Sequence, residues 1–320
     1  MTLLPSVLEA VGGTPLVRLD RLAPAGTRLL LKCEQLNPGG SHKARIALNM
    51  IRAAERDGWL TPGSGQTILE PTGGNTGIGI AMAAAVLGYR VVLVVPDNYS
   101  PDKQRLLRAL GAEVVLSDSA RGNNSHGEKA MELQFDNPSW VLLNQGANPA
   151  NPAVHREVTA RELLADLGDL GPDVLVAGMG TGGHISGVGA VLRERWPALR
   201  IVGVEPEGCS FRENRYRRHR IQGLAIGYVP ANLDVGLIDD VVPVSEGEAV
   251  AGMRALMRSE GICAGVSTGA NVAASLRLAS QLPPDATILT FAYDGAQDYL
   301  DLLGEDGPAL AAARTDEVPA

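Results

Sequence analysis

Nearly unbroken runs of Val, Leu and Ile alternate along this chain with glycine-bearing turns and longer amphipathic or apolar segments. The runs at 28–32, 67–70, 90–95, 113–116, 140–143, 173–177, 200–204 and 287–291 read as strands. Apolar character at almost every position, instead of every second one, is what parallel strands covered on both faces require. The segments between them read as helices. Ser100 before Pro101 makes a helix start, and Gly58, Gly88 and Gly111 make helix ends, because glycine reaches the left-handed conformation without a Cβ clash. Strand and helix alternating over this length predict an α/β fold, with one or two open parallel sheets. Pro149 and Pro152, set close together after Asn148, predict a break in regular structure and a hinge or domain crossing. From Pro308 the chain turns to Ala, Pro and charge, a composition that frays.

Composition narrows the class. With 45% hydrophobic and 20% charged residues the 320-residue chain has ordinary globular character and enough length for a sizeable core. A net charge of −8 argues against a nucleic-acid binder driven by overall charge. Cys33, Cys209 and Cys263 are far apart with no CxxC pair, so neither a disulfide framework nor a zinc knuckle is expected. His126, His155 and His219 lack metal-ligand spacing, and no metal is expected. The start, MTLLPSVLEAVGG, has no basic region and carries Glu9 within its apolar stretch, unlike a signal peptide. The uncharged stretch 71–89 is broken by Asn75 and several glycines, so it reads as loop and buried helix and not as a membrane span. The expected location is the cytoplasm.

Three loops carry candidate chemistry. Only four of the 28 basic residues are lysines: Lys32, Lys43, Lys103 and Lys129. Lys32, Lys103 and Lys129 read as strand-edge or solvated helix residues. Lys43 follows the turn Asn37-Pro38-Gly39-Gly40 at the start of a helix through Ile46, Met50 and Ala54. Burial and a helix amino end both disfavour its ammonium, which suits a Schiff-base lysine, since only the neutral amine attacks a carbonyl. A solvated lysine at a helix start is the plainer alternative. Thr72-Gly73-Gly74-Asn75-Thr76-Gly77 offers a neutral cradle of amides and hydroxyls, fit for a carboxylate or phosphate, or simply a tight turn capped by Thr72. Gly178-Met179-Gly180-Thr181-Gly182-Gly183-His184 is a third anion loop, which suits a phosphate. Gly178, Gly180 and Gly183 also satisfy the dinucleotide spacing, with Glu205 ending the next strand, so a nucleotide-binding protein stays open.

Taken together, these loops resemble the cysteine synthase and cystathionine β-synthase family of pyridoxal-phosphate enzymes, the fold type II group. The resemblance starts at Val11-Gly12-Gly13-Thr14-Pro15-Leu16 and runs through the three loops, Gln145 with Asn148-Pro149-Ala150-Asn151, and Gln222-Gly223. It continues to Gly265-Val266-Ser267-Thr268-Gly269-Ala270 and on to Asp294 through Leu300. It implies two open, twisted, mostly parallel sheets with helices on both faces, as in the tryptophan synthase β-like fold. It also implies that Lys43 holds pyridoxal 5'-phosphate and later moves the substrate α-proton. Asn75 would bond the ring oxygen. Thr72, Gly73, Gly74 and Thr76, with Gln145, would hold the substrate carboxylate, with Gln222 and Gly223 near the mouth. Gly180, Thr181, Gly182, Gly183 and His184 would wrap the phosphate. Residues 44–147 would form a smaller mobile domain, residues 1–43 and 148–307 a larger one, and 308–320 a flexible tail. A homodimer is implied as well.

The chain departs from the family at four places. Ala44 follows the lysine where Asp or a similar residue is usual, Gly73 stands for Ser, and His184 for Thr. Where a Ser often faces the pyridine nitrogen, an ungapped alignment gives Gly295, and a one-residue insertion gives Asp294. A carboxylate there would keep the nitrogen protonated and deepen the electron sink. His42 and His184 read as proton carriers, phosphate partners or space-filling residues. Arg212, Arg215, Arg217, Arg218 and Arg220 with His219 read as a solvated loop, a subunit contact or an anion site near the mouth. The implied activity is β-replacement on L-serine or an O-activated L-serine through an aminoacrylate, with a small sulfur or amine nucleophile. A dehydratase-type lyase is the alternative.

Overall fold

The computed structural model describes residues 3–72, 74–122 and 124–304. Its strands are β1 (Leu16–Arg18), β2 (Arg28–Cys33), β3 (Thr67–Pro71), β4 (Arg90–Pro96), β5 (Glu113–Ser117), β6 (Val141–Leu142), β7 (Val174–Gly178), β8 (Arg200–Pro206), β9 (Asp240–Val244) and β10 (Thr287–Ala292). Its helices are α1 (Lys43–Arg56), α2 (Asn75–Leu87), α3 (Pro101–Ala109), α4 (Ser125–Asp136), α5 (Ala150–Val154), α6 (Ala160–Leu167), α7 (Gly183–Arg195), α8 (Glu246–Glu260) and α9 (Val266–Ala279). A six-stranded sheet has the order β1-β2-β10-β7-β8-β9, and a four-stranded sheet the order β5-β4-β3-β6. The pairings are parallel except for β1, which joins β2 antiparallel.

The unbroken apolar runs have a direct cause: both faces of each sheet are covered. Side chains alternate along a strand, so neighbours enter opposite layers. Leu29, Leu31, Val174 and Val204 pack with Ala249, Met253 and Ala270 of α8 and α9. Leu30, Leu175 and Ile201 pack with Leu163, Ile185 and Val188 of α6 and α7. In the smaller sheet, Ile68 and Leu93 pack with Met50 and Ile80 of α1 and α2, while Leu69, Val92 and Val94 meet Ala130 of α4.

All eight expected strands are present, with 140–143 reduced to the two residues of β6. The apolar pattern misses β1 and β9. β1 is a three-residue edge strand, and β9 places exposed Asp240 and Pro243 on a sheet edge. Ser100 does occupy the cap of α3, but its side chain makes no capping bond; Pro101 at the first position is the start signal. The expected break holds only as far as Pro149, since residues 143–149 are irregular; Pro152 does not interrupt the helix that follows. Pro149 caps α5 and Pro152 falls in its first turn, where no intrahelical N–H bond is needed. The chain then passes through a π turn, His155–Thr159, into α6. Gly73 and the tail 308–320 lie outside the described residues. No helix among the described residues is long and apolar enough to cross a membrane.

Two lysines need correction. Lys32 is buried on β2, bonding the Thr14 carbonyl (2.5 Å) and Asp166 (2.8 Å). Lys103 is also buried: its amine pairs with Asp298 at 3.2 Å and lies 5.4 Å from the Tyr299 ring centroid. The strand-edge reading of Lys32 and the solvated-helix reading of Lys103 both fail because the partners that bury them are remote in sequence.

Candidate active site

The carboxyl ends of parallel strands from both sheets open onto one cleft of about 1120 Å³, the usual location of ligands in open α/β sheets. Lys43, the first residue of α1, stands in it half-buried. Gly39 and Gly40, both at left-handed φ (78° and 76°), turn the chain into α1. Bridging of Ser41 to Asp294 and the bond from the His42 amide to the Tyr293 carbonyl (2.9 Å) then tie that turn to the end of β10. Burial lowers the Lys43 ammonium to about 8, and the Asp294 carboxylate opposes a further fall. The amine is therefore partly neutral at physiological pH.

Asp294 is buried on the cleft wall, and its Oδ2 accepts from Asn75 Nδ2 (2.8 Å) and the Tyr299 hydroxyl (2.6 Å). Burial raises its carboxyl, against the pull of those two donors. Gly295 instead caps the following 3-10 helix and does not line the cleft. Thr72, Gly74, Asn75, Thr76 and Gln145 all line the cleft, with Gly74 as the cap of α2. Thr76 Oγ1 donates to Gln145 Oε1 (2.7 Å), and the Gly74 amide approaches Thr72 Oγ1 at 3.4 Å. Because α2 begins at Asn75, its first-turn amides belong to this loop.

The third loop is shaped by the absence of side chains. A Cβ on Gly180 would overlap the Gly223 carbonyl oxygen, and one on Gly183 would overlap Asn151 Oδ1. Gly182 has φ +80°, and its Cβ would stand 2.5 Å from Leu233 Cβ. Gly180, Thr181, Gly182 and His184 line the cleft, whereas Gly183 opens α7 beneath Asn151. Thr181 Oγ1 accepts from Asn151 Nδ2 (3.1 Å). His184 is buried, and its Nε2 has no hydrogen-bond partner. A bare amide cradle at a helix amino end, with an orphaned ring nitrogen beside it, fits a phosphate. With Lys43 able to hold a carbonyl, the residues present fit pyridoxal phosphate.

His42, His155 and His184 form a cluster that the sequence did not reveal, with His184 4.7 Å from His155 and 5.6 Å from His42 between ring centroids. Burial, then Lys43 and Arg45, lowers His184 to about 3, and burial holds the other two well below the ordinary histidine value. Tyr293, Tyr299 and Glu70 also reach the cleft without having been named as site residues; Tyr293 and Glu70 sit beside a motif, and Tyr299 lies within the stretch from Asp294 to Leu300. At the mouth, Gln222, Gly223, Arg218, His219 and Arg220 line the opening, Arg220 pairing with Asp301 (3.0 Å). Gln222 Oε1 lies 3.4 Å from the Lys103 amine. Arg212, Arg215 and Arg217 do not line it, and neither does Glu205, the acid that a dinucleotide site would use.

The family model described as pyridoxal-phosphate dependent enzyme matches residues 7–294. The chain is 42% identical to an O-ureido-L-serine synthase of Streptomyces lavendulae over 96% of this chain and 94% of that one. It is 38% identical to a cysteine synthase of Staphylococcus aureus over 92% and 95% of the two chains. Among solved structures, an O-ureido-L-serine synthase superposes with TM-score 0.92 at 42% identity, covering 96% of this chain and 98% of that one. An O-acetylserine dependent cystathionine β-synthase from Helicobacter pylori gives 0.88 at 35% identity, covering 94% and 98%. A cleft with a low-pKa lysine between two amide cradles, and these likenesses over nearly the whole chain, lead to one conclusion: the chain belongs to the pyridoxal-phosphate dependent enzymes, among the β-replacement enzymes of the cysteine synthase type.

Proposed function

We propose that this protein exchanges the β-substituent of L-serine, or of O-acetyl- or O-phospho-L-serine, for a small nucleophile, giving cysteine or another β-substituted alanine. The carrying observation is the Lys43 amine, lowered by burial to about 8, in one cleft with a carboxylate-type cradle and a phosphate-type cradle. Pyridoxal phosphate, when bound, supplies the electron sink that lets the substrate α-proton leave. Lys43 Nζ would hold the cofactor and, as a free amine, would accept the substrate α-proton and return it. Thr72, Gly74 and Thr76, with Gln145, bind the substrate carboxylate and so orient the α-carbon toward that amine. Gly180, Thr181, Gly182 and His184 would hold the phosphate, and Asn75 and Asp294, which line the same cleft, would be the side chains available to the ring. Residues 44–147, carrying the smaller sheet, close over the substrate and exclude water.

The likeness to O-ureido-L-serine synthase supports a second nucleophile class beside sulfide, thiols and amines: an N-hydroxyl oxygen, as in hydroxyurea. The test supplies the purified enzyme with L-serine, O-acetyl-L-serine or O-phospho-L-serine, together with sulfide, a thiol, an amine or hydroxyurea, and identifies products by mass spectrometry. A β-substituted alanine is expected. Pyruvate and ammonia as the main products, despite excess nucleophile, would replace this reading with a lyase.

A further inference from the structure

Glu70 ends the apolar part of β3, is fully buried, and lines the cleft without a role in the chemistry above. Its Oε2 accepts the Asn144 amide (2.7 Å) and its Oε1 the Gln145 amide (3.0 Å). Asn144 has φ +56°, a left-handed conformation that presents both successive amides to one acceptor.

Gln145, held this way, touches both cradles. Its side-chain oxygen takes the Thr76 hydroxyl. Its carbonyl takes Asn151 Nδ2 (2.8 Å) and Asn232 Nδ2 (2.9 Å). Asn151 also bonds Thr181 and fills the space left by Gly183, while Asn232 precedes Leu233, which abuts Gly182. One buried carboxylate thus fixes a residue bonded to the α2 cradle on one side and to the supports of the α7 cradle on the other.

We infer that Glu70 is a positioning residue which, by clamping the Asn144 and Gln145 amides, sets the geometry of the substrate-carboxylate loop and the phosphate loop together. The inference rests on the two loop assignments made above. Burial pushes the Glu70 carboxyl up to about 7, while the two amides pull the other way. Tyr228, from the loop after Gly227, is its titratable neighbour, and its phenol is raised by burial and by Glu70. Among the described residues the loop 144–146 and the first turn of α2 bring no charged side chain to it; the Lys43 amine lines the same cleft. The ionised carboxyl accepts both amides at full strength, so the clamp tightens as pH rises through about 7.

The test uses Glu70→Gln, Glu70→Asp and the unmodified enzyme. The Gln amide nitrogen cannot accept, so one of the two backbone donors loses its partner. We expect KM for the amino-acid substrate and the dissociation constant of pyridoxal phosphate from the apoprotein each to rise about tenfold, with kcat changing less than about threefold. Glu70→Asp, which keeps the charge, recovers part of both. In the unmodified protein the cofactor is held more tightly at pH 8 than at pH 6, and the ratio of its affinity to that of Glu70→Gln shrinks as pH falls through about 7. A Gln variant that loses thermal stability alone, with both constants within about twofold, overturns the inference; so does a pH-independent ratio. Cofactor affinity does not depend on which amino acid is turned over. A failed substrate assignment with an intact cofactor effect therefore removes the proposed reaction and leaves Glu70 standing.

Discussion

Replacing Lys43 by Met removes a charge from the cleft while keeping a long, flexible side chain there. Burial holds the Lys43 ammonium at about 8 against an ordinary 10.5, and that gap corresponds to about 3 kcal/mol against keeping the folded protein charged at pH 7. The sign follows from linkage. The lysine pKa is depressed in the folded state, so between about 8 and 10.5 the unfolded chain binds more protons, and stability rises with pH. Apoprotein of Lys43→Met lacks this rise. Urea unfolding of both apoproteins at pH 7 and above pH 10.5 should show the stability difference, variant minus parent, falling by about 3 kcal/mol on going to high pH. Groups common to both proteins cancel in that difference. A difference independent of pH would mean that the amine titrates as in open solution, and the chemical argument for Lys43 would go with it.

Arg45, in the first turn of the same helix, is buried with Nε 2.6 Å from Glu34 and Nη2 2.7 Å from Glu162. Arg45→Ala leaves the buried Glu34 carboxylate without its cation, while Glu162 keeps Lys32 at 3.2 Å, and should cost about 3 kcal/mol in urea unfolding at pH 7. Glu162 is held at about 2 by Arg45, so its share of that loss should shrink on acidification from about 4.5 toward 2. Gly180→Ala puts a methyl group onto the Gly223 carbonyl; pyridoxal phosphate affinity, measured by titrating apoprotein, should fall at least about tenfold, and unchanged affinity would remove this loop from the phosphate site.

The layered α/β architecture was readable because strands sheltered on both faces must be largely apolar, as β7 and the Val91–Val95 part of β4 are. β9 escaped because an edge strand tolerates Asp240 and Pro243. The α7 cradle was legible since its need, backbone without Cβ, is written in consecutive residues. Lys103 was not: on an amphipathic helix it looks like any solvated lysine, and only long-range packing brings Asp298 and Tyr299 to it. The histidine cluster was hidden for the same reason, because residues 42, 155 and 184 converge from three separate elements. Pro152 misled because proline is prohibitive only where its missing N–H is needed.

The cleft has an upper and a lower storey. Lys43 at the start of α1, Asp294 just after β10 and the α7 cradle, packed on Asn151, Gly223 and Leu233, form the floor, while Ser119 and Arg121 on a short 3-10 helix and Arg218 and Gln222 on a loop are the more exposed lining. Substitutions in that lining can resize the entrance without disturbing the anchored amine below. A chain built this way can diversify in what it accepts while the acid–base apparatus stays fixed, so kinship in the floor alone is a poor guide to the incoming reagent.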